Sequence, residues 1–415
     1  MPISRIHHAW LMLCAATLAS AAHAEPLSFA DAVARAAVEG PTIEAERAAV
    51  EAARRSVLPA DQLPDPQLLL GVANLPIDGP DAYRLDRDFM TMQSVGLMQD
   101  MPSGAERRAR RAVARADAAR AESGLEITQL AARLAAAQAW LELHYAQKRN
   151  GVLVRIAHEQ RALAEAARAR LSGGAGNADD AVAAAIESAR AEDRLAEATA
   201  ATAAARSGLR RWLGDGADQE LGADAPVFMI DPERLREHLR HHPELTAYQG
   251  ETALAQANLR MARAETMPDW SWSVMYQRRA PEFSDMASVE VRIGLPLFQA
   301  WRQGPLIEAR RFDATRVVAL AAAAEREHAA MLESQLADYQ ATAANLARAR
   351  ETRLPLARQR AEAITGGFAA GTATSTQMLA ARRDALEAEL DVLDLEQRLT
   401  LLGAALSFQY GAPTP

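Results

Sequence analysis

Between residues 270 and 296 the chain alternates. Trp270, Trp272, Val274 and Tyr276 are interleaved with Ser271, Ser273, Met275 and Gln277, and further on Val289, Val291, Ile293 and Leu295 are interleaved with Ser288, Glu290, Arg292 and Gly294. A period of two gives a strand one apolar and one polar face, so a strand pair is predicted at 270–277 and 288–296. A soluble sandwich carries the same pattern. A membrane barrel sets segments of about 9 to 11 residues against lipid, with aromatic girdles at the interfaces, a place that suits Trp270, Trp272 and Tyr276. Ser271, Ser273, Glu290 and Arg292 would then face the lumen. A second pair, 67–72 and 92–101, is read as strands but alternates poorly, and by itself does not point to a barrel.

The polar and apolar spacing elsewhere is helical. Gly104 to Leu171 contains no proline over 68 residues, which at 1.5 Å per residue predicts a helix of roughly 100 Å. Such a length demands a coiled-coil or tubular arrangement. Leu130, Leu134, Ala137 and Leu141 step by 4, 3 and 4, and Leu379, Leu386 and Leu393 recur every seven residues, the seam spacing of left-handed supercoils. A comparable helix is predicted at 302–365, where Pro355 should kink it or open its hydrogen bonding. Shorter helices are expected from about Ser28 to Leu58 and at 178–212, 233–266 and 374–408. Asp231 and Pro232 are placed to start the third of these.

These elements fall into two similar halves. Leu171-Ser172-Gly173-Gly174 matches Phe368-Ala369-Ala370-Gly371 at an offset of 197, and the same offset carries Trp212-Leu213-Gly214 onto Gln409-Tyr410-Gly411. Upstream, Pro41 matches Pro243 and Pro64-Asp65 matches Pro268-Asp269. The chain reads as a tandem duplication, 25–222 and 223–415, joined through the Gly- and Pro-rich stretch from Gly214 to Pro232. Each half runs helix, strand pair, very long helix, tight turn, helix.

The first 24 residues read as a secretory signal peptide: Arg5 forms a basic start, Ala9 to Ala21 is apolar, and Ala22-His23-Ala24 is a small-residue cleavage pattern. Cys14, the only cysteine, lies inside it. Met12-Leu13 before Cys14 lacks the small residue that precedes a lipidated cysteine, so no acyl anchor, thiol or disulfide is expected in the mature chain. No later apolar run of about 18 residues exists to span a bilayer as a helix. Losing Arg5 leaves 45 basic and 54 acidic side chains, 45 − 54 = −9, which argues against nucleic acid as a partner. Aromatic residues make up only 5% of a chain dominated by alanine, a composition suited to long helices packed closely through small side chains.

Two tandem copies of this element order behind a leader resemble the TolC-type outer-membrane efflux family across essentially the whole mature chain. The local marks are the turns Leu171-Ser172-Gly173-Gly174-Ala175-Gly176 and Phe368-Ala369-Ala370-Gly371-Thr372-Ala373-Thr374, similar to the family's Phe-x-x-Gly turn, with Leu171 departing from the usual aromatic. The resemblance implies a mainly α protein with a membrane β-barrel: a homotrimer whose subunits each give four strands to one twelve-stranded barrel, continuous with a long α-helical periplasmic barrel. It also implies contact with outer-membrane lipid, a periplasmic membrane-fusion adaptor and an inner-membrane resistance-nodulation-division pump, passive conduction, and no cofactor. The segments Asp65 to Gly71, Asn74 to Pro80 and Asp88 to Met92 are similar to the branch that serves heavy-metal exporters. Organic-compound efflux and type I protein secretion are alternative uses of the same fold. A periplasmic adaptor or a structural coiled-coil protein is the rival of another class.

On this resemblance the hairpin tips are candidate adaptor-docking sites: Leu171, Ser172, Gly173, Gly174, Gly176, Gly367, Phe368, Gly371 and Thr372. Asp179 and Asp180, repeated by threefold symmetry, would form an acidic collar at the periplasmic mouth. No catalytic constellation is present: no phosphate-binding glycine loop, no His-Glu-x-x-His, and no mature cysteine. His238, His241 and His242 cluster, but Pro243 follows directly and adjacent helical positions point apart, so they are read as exposed helix-end residues near the dipole and not as metal ligands. Met90, Met92, Met98, Met101, Met275 and Met286 suit soft ions but also serve as ordinary apolar filler.

Overall fold

The computed structural model describes residues 26–411; the expected signal peptide lies outside the described residues. In chain order the elements are α1 (Phe29–Glu39), α2 (Pro41–Ser56), β1 (Gln67–Ala73), β2 (Met92–Met101), α3 (Gly104–Ser172) and α4 (Ala178–Leu213), followed by α5 (Pro232–His238), α6 (Pro243–Ala264), β3 (Trp270–Arg278), β4 (Met286–Ile293), α7 (Gln303–Arg348), α8 (Leu354–Ala369) and α9 (Ser375–Tyr410). None of the described helices is long and apolar enough to cross a membrane.

The helix expected from Ser28 to Leu58 is two helices. Ser28 caps α1 by accepting from the Asp31 N–H at 3.1 Å, but Gly40 is extended, with ψ 143°, because the ring of Pro41 disfavours helical geometry in the residue before it. The same device divides 233–266. His242, with ψ 131°, precedes Pro243, and a single 3-10 turn, Leu239–His241, separates α5 from α6. In both places the proline sits in the first turn of the following helix, where its missing N–H costs nothing.

The third break is of another kind. Where one helix was expected over 302–365, residues 349–353 form a π-helical turn in which the Leu354 N–H donates to the Ala349 carbonyl. The wider turn lies immediately before Pro355, which has no N–H to give. The helix continues past the proline without stopping.

The strands form one antiparallel sheet in the order β1-β2-β3-β4. Its register puts Leu68, Leu97, Val274 and Val289 in one row and Leu70, Val95, Tyr276 and Ala287 in another on the same face, with Trp272 opposite Val291 and Trp270 opposite Ile293. The second strand of the 288–296 expectation starts earlier and stops at Ile293. Beyond it the Gly294 N–H donates to the Asp269 carbonyl at 2.8 Å, and Leu295 lies outside the strand.

Below the sheet, α3 packs against α1, α2, α4, α6 and α9, and α7 against α6 and α9. The core is made largely of alanine, which lets helices approach closely, and its bulkiest cluster surrounds Trp140, Leu141, Leu143 and Leu209. Leu386 and Leu393, spaced by seven, pack against Val152, Leu153 and Ile156 of α3. That seam joins the two helical hairpins, α3 with α4 and α8 with α9.

Candidate functional site: the two-faced sheet and the hairpin tips

The sheet has two chemically distinct faces. On one, Leu68, Leu70, Val72, Val289, Val291 and Ile293 are all exposed, Leu70 at 72% and Val289 at 73%. On the other, Ser271 stands opposite Arg292 and Ser273 opposite Glu290, while Asp100 stands opposite Ser271 and Met98 opposite Ser273. Arg292 donates to Glu290 at 2.8 Å along the strand. All four polar residues singled out in the sequence therefore share one face. Met92, Met98, Met275 and Met286 lie on that face too, and Met101 lies on the apolar one. At the helical end of the sheet, Leu295, Leu297, Phe298 and Trp301 are exposed next to Trp270, making a band of apolar and aromatic side chains.

The outer edges of β1 and β4 pair with no strand among the described residues. An exposed flat edge beside an exposed apolar face is unstable in water. A barrel closed with further strands, in lipid, removes both problems.

At the opposite end of the molecule the two hairpins close by the same chain reversal. After α3 the Ala175 N–H donates to the Arg170 carbonyl at 2.9 Å, and after α8 the Thr372 N–H donates to the Gly367 carbonyl at 2.8 Å. Gly174 and Gly371 occupy the left-handed position of this helix-ending motif, at φ 75° and 76°. The next helices start on equivalent caps: Asn177 accepts from the Asp180 N–H and Thr374 from the Gln377 N–H.

The tips differ in what they expose. Leu171, Ser172, Gly173, Gly174, Gly371 and Thr372 are exposed, Gly176 and Gly367 partly so. Phe368 instead turns inward onto Ala164, Ala184, Met378 and Leu379, and the Arg170 guanidinium lies 5.4 Å from its ring centroid. Asp179 is exposed, whereas Asp180 accepts a hydrogen bond from Ser375 across the two hairpins. Higher up, Arg382 donates to Glu159 at 2.6 Å and Arg155 to Glu389 at 2.9 Å. The hairpins are thus held together near their tips by a small apolar cluster of Ala164, Ala184, Phe368, Met378 and Leu379 and by a few polar pairs, which contribute little where they are exposed.

The histidine cluster departs from the expectation of exposed residues at a helix end. His238 and His241 remain near the surface, with ring centroids 6.1 Å apart. His242, turned by the break at Pro243, is buried, and its ring lies 4.2 Å from that of His328 on α7. His328 had no signal in the sequence, being a lone histidine in an alanine-rich helix. His328 Nε2 is 2.8 Å from the Glu244 carboxylate, and Tyr410, the last residue of α9, closes the group. Burial first, then Glu244, pushes the Tyr410 phenol up to about 12, so it stays protonated.

The pattern of the outer membrane efflux protein family matches residues 235–412. Over 236 residues the chain is 32% identical to the cobalt-zinc-cadmium resistance protein CzcC of Cupriavidus metallidurans, a match taking in 55% of this chain and 56% of that protein. The aligned part therefore spans little more than half the length of this relative. A membrane protein from Pseudomonas aeruginosa shares the fold at a TM-score of 0.80 and 15% identity, covering 92% of this chain and 90% of its own. The outer membrane protein VceC of Vibrio cholerae does so at 0.75 and 18%, covering 92% and 96%. The fold is that of the TolC-type outer-membrane proteins, not of an adaptor or a simple coiled coil.

Proposed function

We propose that this chain is one subunit of a homotrimeric outer-membrane channel, the passive exit duct of a tripartite efflux system. The observation that carries the reading is the sheet: an exposed apolar face, a polar face and two open edges, set on helical hairpins with α3 roughly 100 Å long. Three copies of the four-stranded sheet close a twelve-stranded barrel, its apolar face in lipid and Ser271, Ser273, Glu290 and Arg292 toward the lumen. The band at Trp270, Phe298 and Trp301 is the girdle on the periplasmic side. The two repeats, 25–222 and 223–415, then supply alternate staves of a helical tunnel in the periplasm.

The exposed tip residues, Leu171 and Thr372 among them, receive the helices of a periplasmic adaptor coupled to an inner-membrane resistance-nodulation-division pump. Docking parts the two hairpins near Phe368, Asp180 and the Arg382–Glu159 pair, and Asp179 rings the opening as an acidic collar. The likeness to a cobalt-zinc-cadmium resistance protein favours heavy-metal cations as cargo, ahead of organic compounds or secreted protein. Energy for transport is spent in the pump, and no cofactor takes part.

Single-channel conductance of the detergent-extracted protein in planar bilayers tests this, with divalent and trivalent cations added on the tip side. Stable conductance steps from a trimer, blocked by the cations and less so after Asp179→Asn, are expected. A soluble monomer that never conducts would overturn the channel reading.

A further inference from the structure

We propose that His242, Glu244 and His328 bind one divalent cation of the zinc class, which ties the start of α6 to the middle of α7. Each residue offers a ligand atom, and the three lie within 4.8 Å of one another. Two imidazoles and a carboxylate suit zinc and its neighbours in the first transition row. His328 Nε2 and the Glu244 carboxylate already meet at 2.8 Å, so the cation enters between two ligand atoms that are already side by side. His242 Nδ1 presents a lone pair that now accepts from the Glu244 N–H at 3.2 Å; binding exchanges that long cap bond for a metal bond.

Three further features separate this group from a mere cap and ion pair. Among the described residues the Tyr410 hydroxyl is buried without a hydrogen-bond partner, as is His328 Nδ1, and the Tyr410 ring packs 5.6 Å and 6.3 Å from the two imidazoles. A cation that carries a water gives that phenol a partner, and unpaired buried polar atoms are otherwise costly. Next, the chain break does not need a histidine. Gly40 before Pro41 makes the same extended step with no side-chain cap, so the imidazole at 242 is additional to the turn. Finally, the site is reachable: Glu244, half exposed, opens the cluster to solvent.

The cation would sit where α9 ends, α6 begins and α7 passes by, a joint far from the sheet and the tips. Its role is to stiffen that joint, and it holds whether or not the chain conducts. The test uses the full mature chain in detergent, stripped with chelator and dialysed, then titrated with Co2+ alone and afterwards with Zn2+. Expected are a single equivalent of Co2+ per protomer with the intense visible absorption of a low-coordinate site, its displacement by Zn2+, and a rise in melting temperature with either ion. His242→Gly, which copies the Gly40-Pro41 step, and His328→Gln should abolish the absorption and the thermal shift, while His238→Ala with His241→Ala leaves both intact. Equal binding by His242→Gly and the unmutated chain, loss of binding only in the His238/His241 variant, or no stoichiometric Co2+ at all would each overturn the proposal. Should His328→Gln fail to fold, His242→Gly decides alone.

Discussion

Trp140 donates its indole N–H to the carbonyl of Leu27 at 3.1 Å, across 113 residues of chain. The same carbonyl accepts from the Gly222 N–H at 3.0 Å, and the Leu27 N–H donates to Glu220 at 2.7 Å. With Phe29 edge-on to the indole at 5.6 Å, the middle of α3 thus gathers the start of the described chain and the segment that joins its two halves. Trp140 is fully buried. Trp140→Phe keeps most of the packing and loses one hydrogen bond, and should cost about 1–2 kcal/mol; Trp140→Ala should cost about 3–5 kcal/mol. Thermal unfolding of the purified protein followed by circular dichroism ranks them, and equal losses would mean that the hydrogen bond, not the packing, dominates.

At the second tip, two glycines, Gly366 and Gly371, should respond with opposite signs. Gly371 has φ 76°, where a Cβ meets the following carbonyl, so Gly371→Ala should destabilise the tip by about 1–2 kcal/mol. Gly366 lies inside α8 with open space around it, so Gly366→Ala should stabilise the helix by roughly 0.5–1 kcal/mol. Limited proteolysis at the α8–α9 turn reads both: faster cutting for Gly371→Ala, slower for Gly366→Ala.

In the sheet, Gly96 lies under Met275. A Cβ there would meet Met275 Cγ at 2.5 Å and the Val274 carbonyl oxygen at 2.7 Å, and the second contact is backbone that no rotamer change relieves. Gly96→Ala should therefore loosen the β2–β3 pairing by about 1–3 kcal/mol and lower the temperature at which the proposed trimer dissociates on a semi-native gel. Gly71→Ala, which meets only the Ser94 hydroxyl at 3.3 Å, should leave that temperature unchanged.

The contrast between the two hairpins explains how much of this molecule can be read in its residues. β3 and β4 declare their faces because Trp, Val, Tyr and Ile alternate with Ser, Glu and Arg. On β2 the apolar face carries Gln93 and Gln99 while the polar face carries Met92 and Met98, so the alternation cancels, and only pairing with β3 fixes which side is which. The breaks at Gly40 and His242 stand beside prolines that were visible as repeat anchors. A proline in a first turn is compatible with a helix on either side of it, and what ends the earlier helix is the extended residue before it. His242 and His328 meet only through the packing of α6 on α7, which no spacing along the chain encodes.

Glu106 gives the clearest pH signature. It lies in the first turn of α3, nearly buried, and bonds to Arg110. Burial holds its carboxyl above the usual range; Arg110 pulls the other way, and Asp269, whose carboxylate accepts from the Ser103 N–H at 2.7 Å, pushes it further up. A carboxylate whose folded pKa is raised binds its proton more tightly folded than unfolded. The ionised side chain therefore costs stability, a cost absent below the unfolded value of about 4.3 and complete once the pH has risen through the folded one. Glu106→Gln removes the ionisation and keeps an acceptor for Arg110. Its melting temperature should match the unmutated protein below about pH 4, exceed it as the pH rises above that, and level off once the pH has passed the folded pKa. If instead the unmutated protein melts higher at alkaline pH, the Arg110 contact outweighs the burial, and this turn of α3 is held by an ion pair.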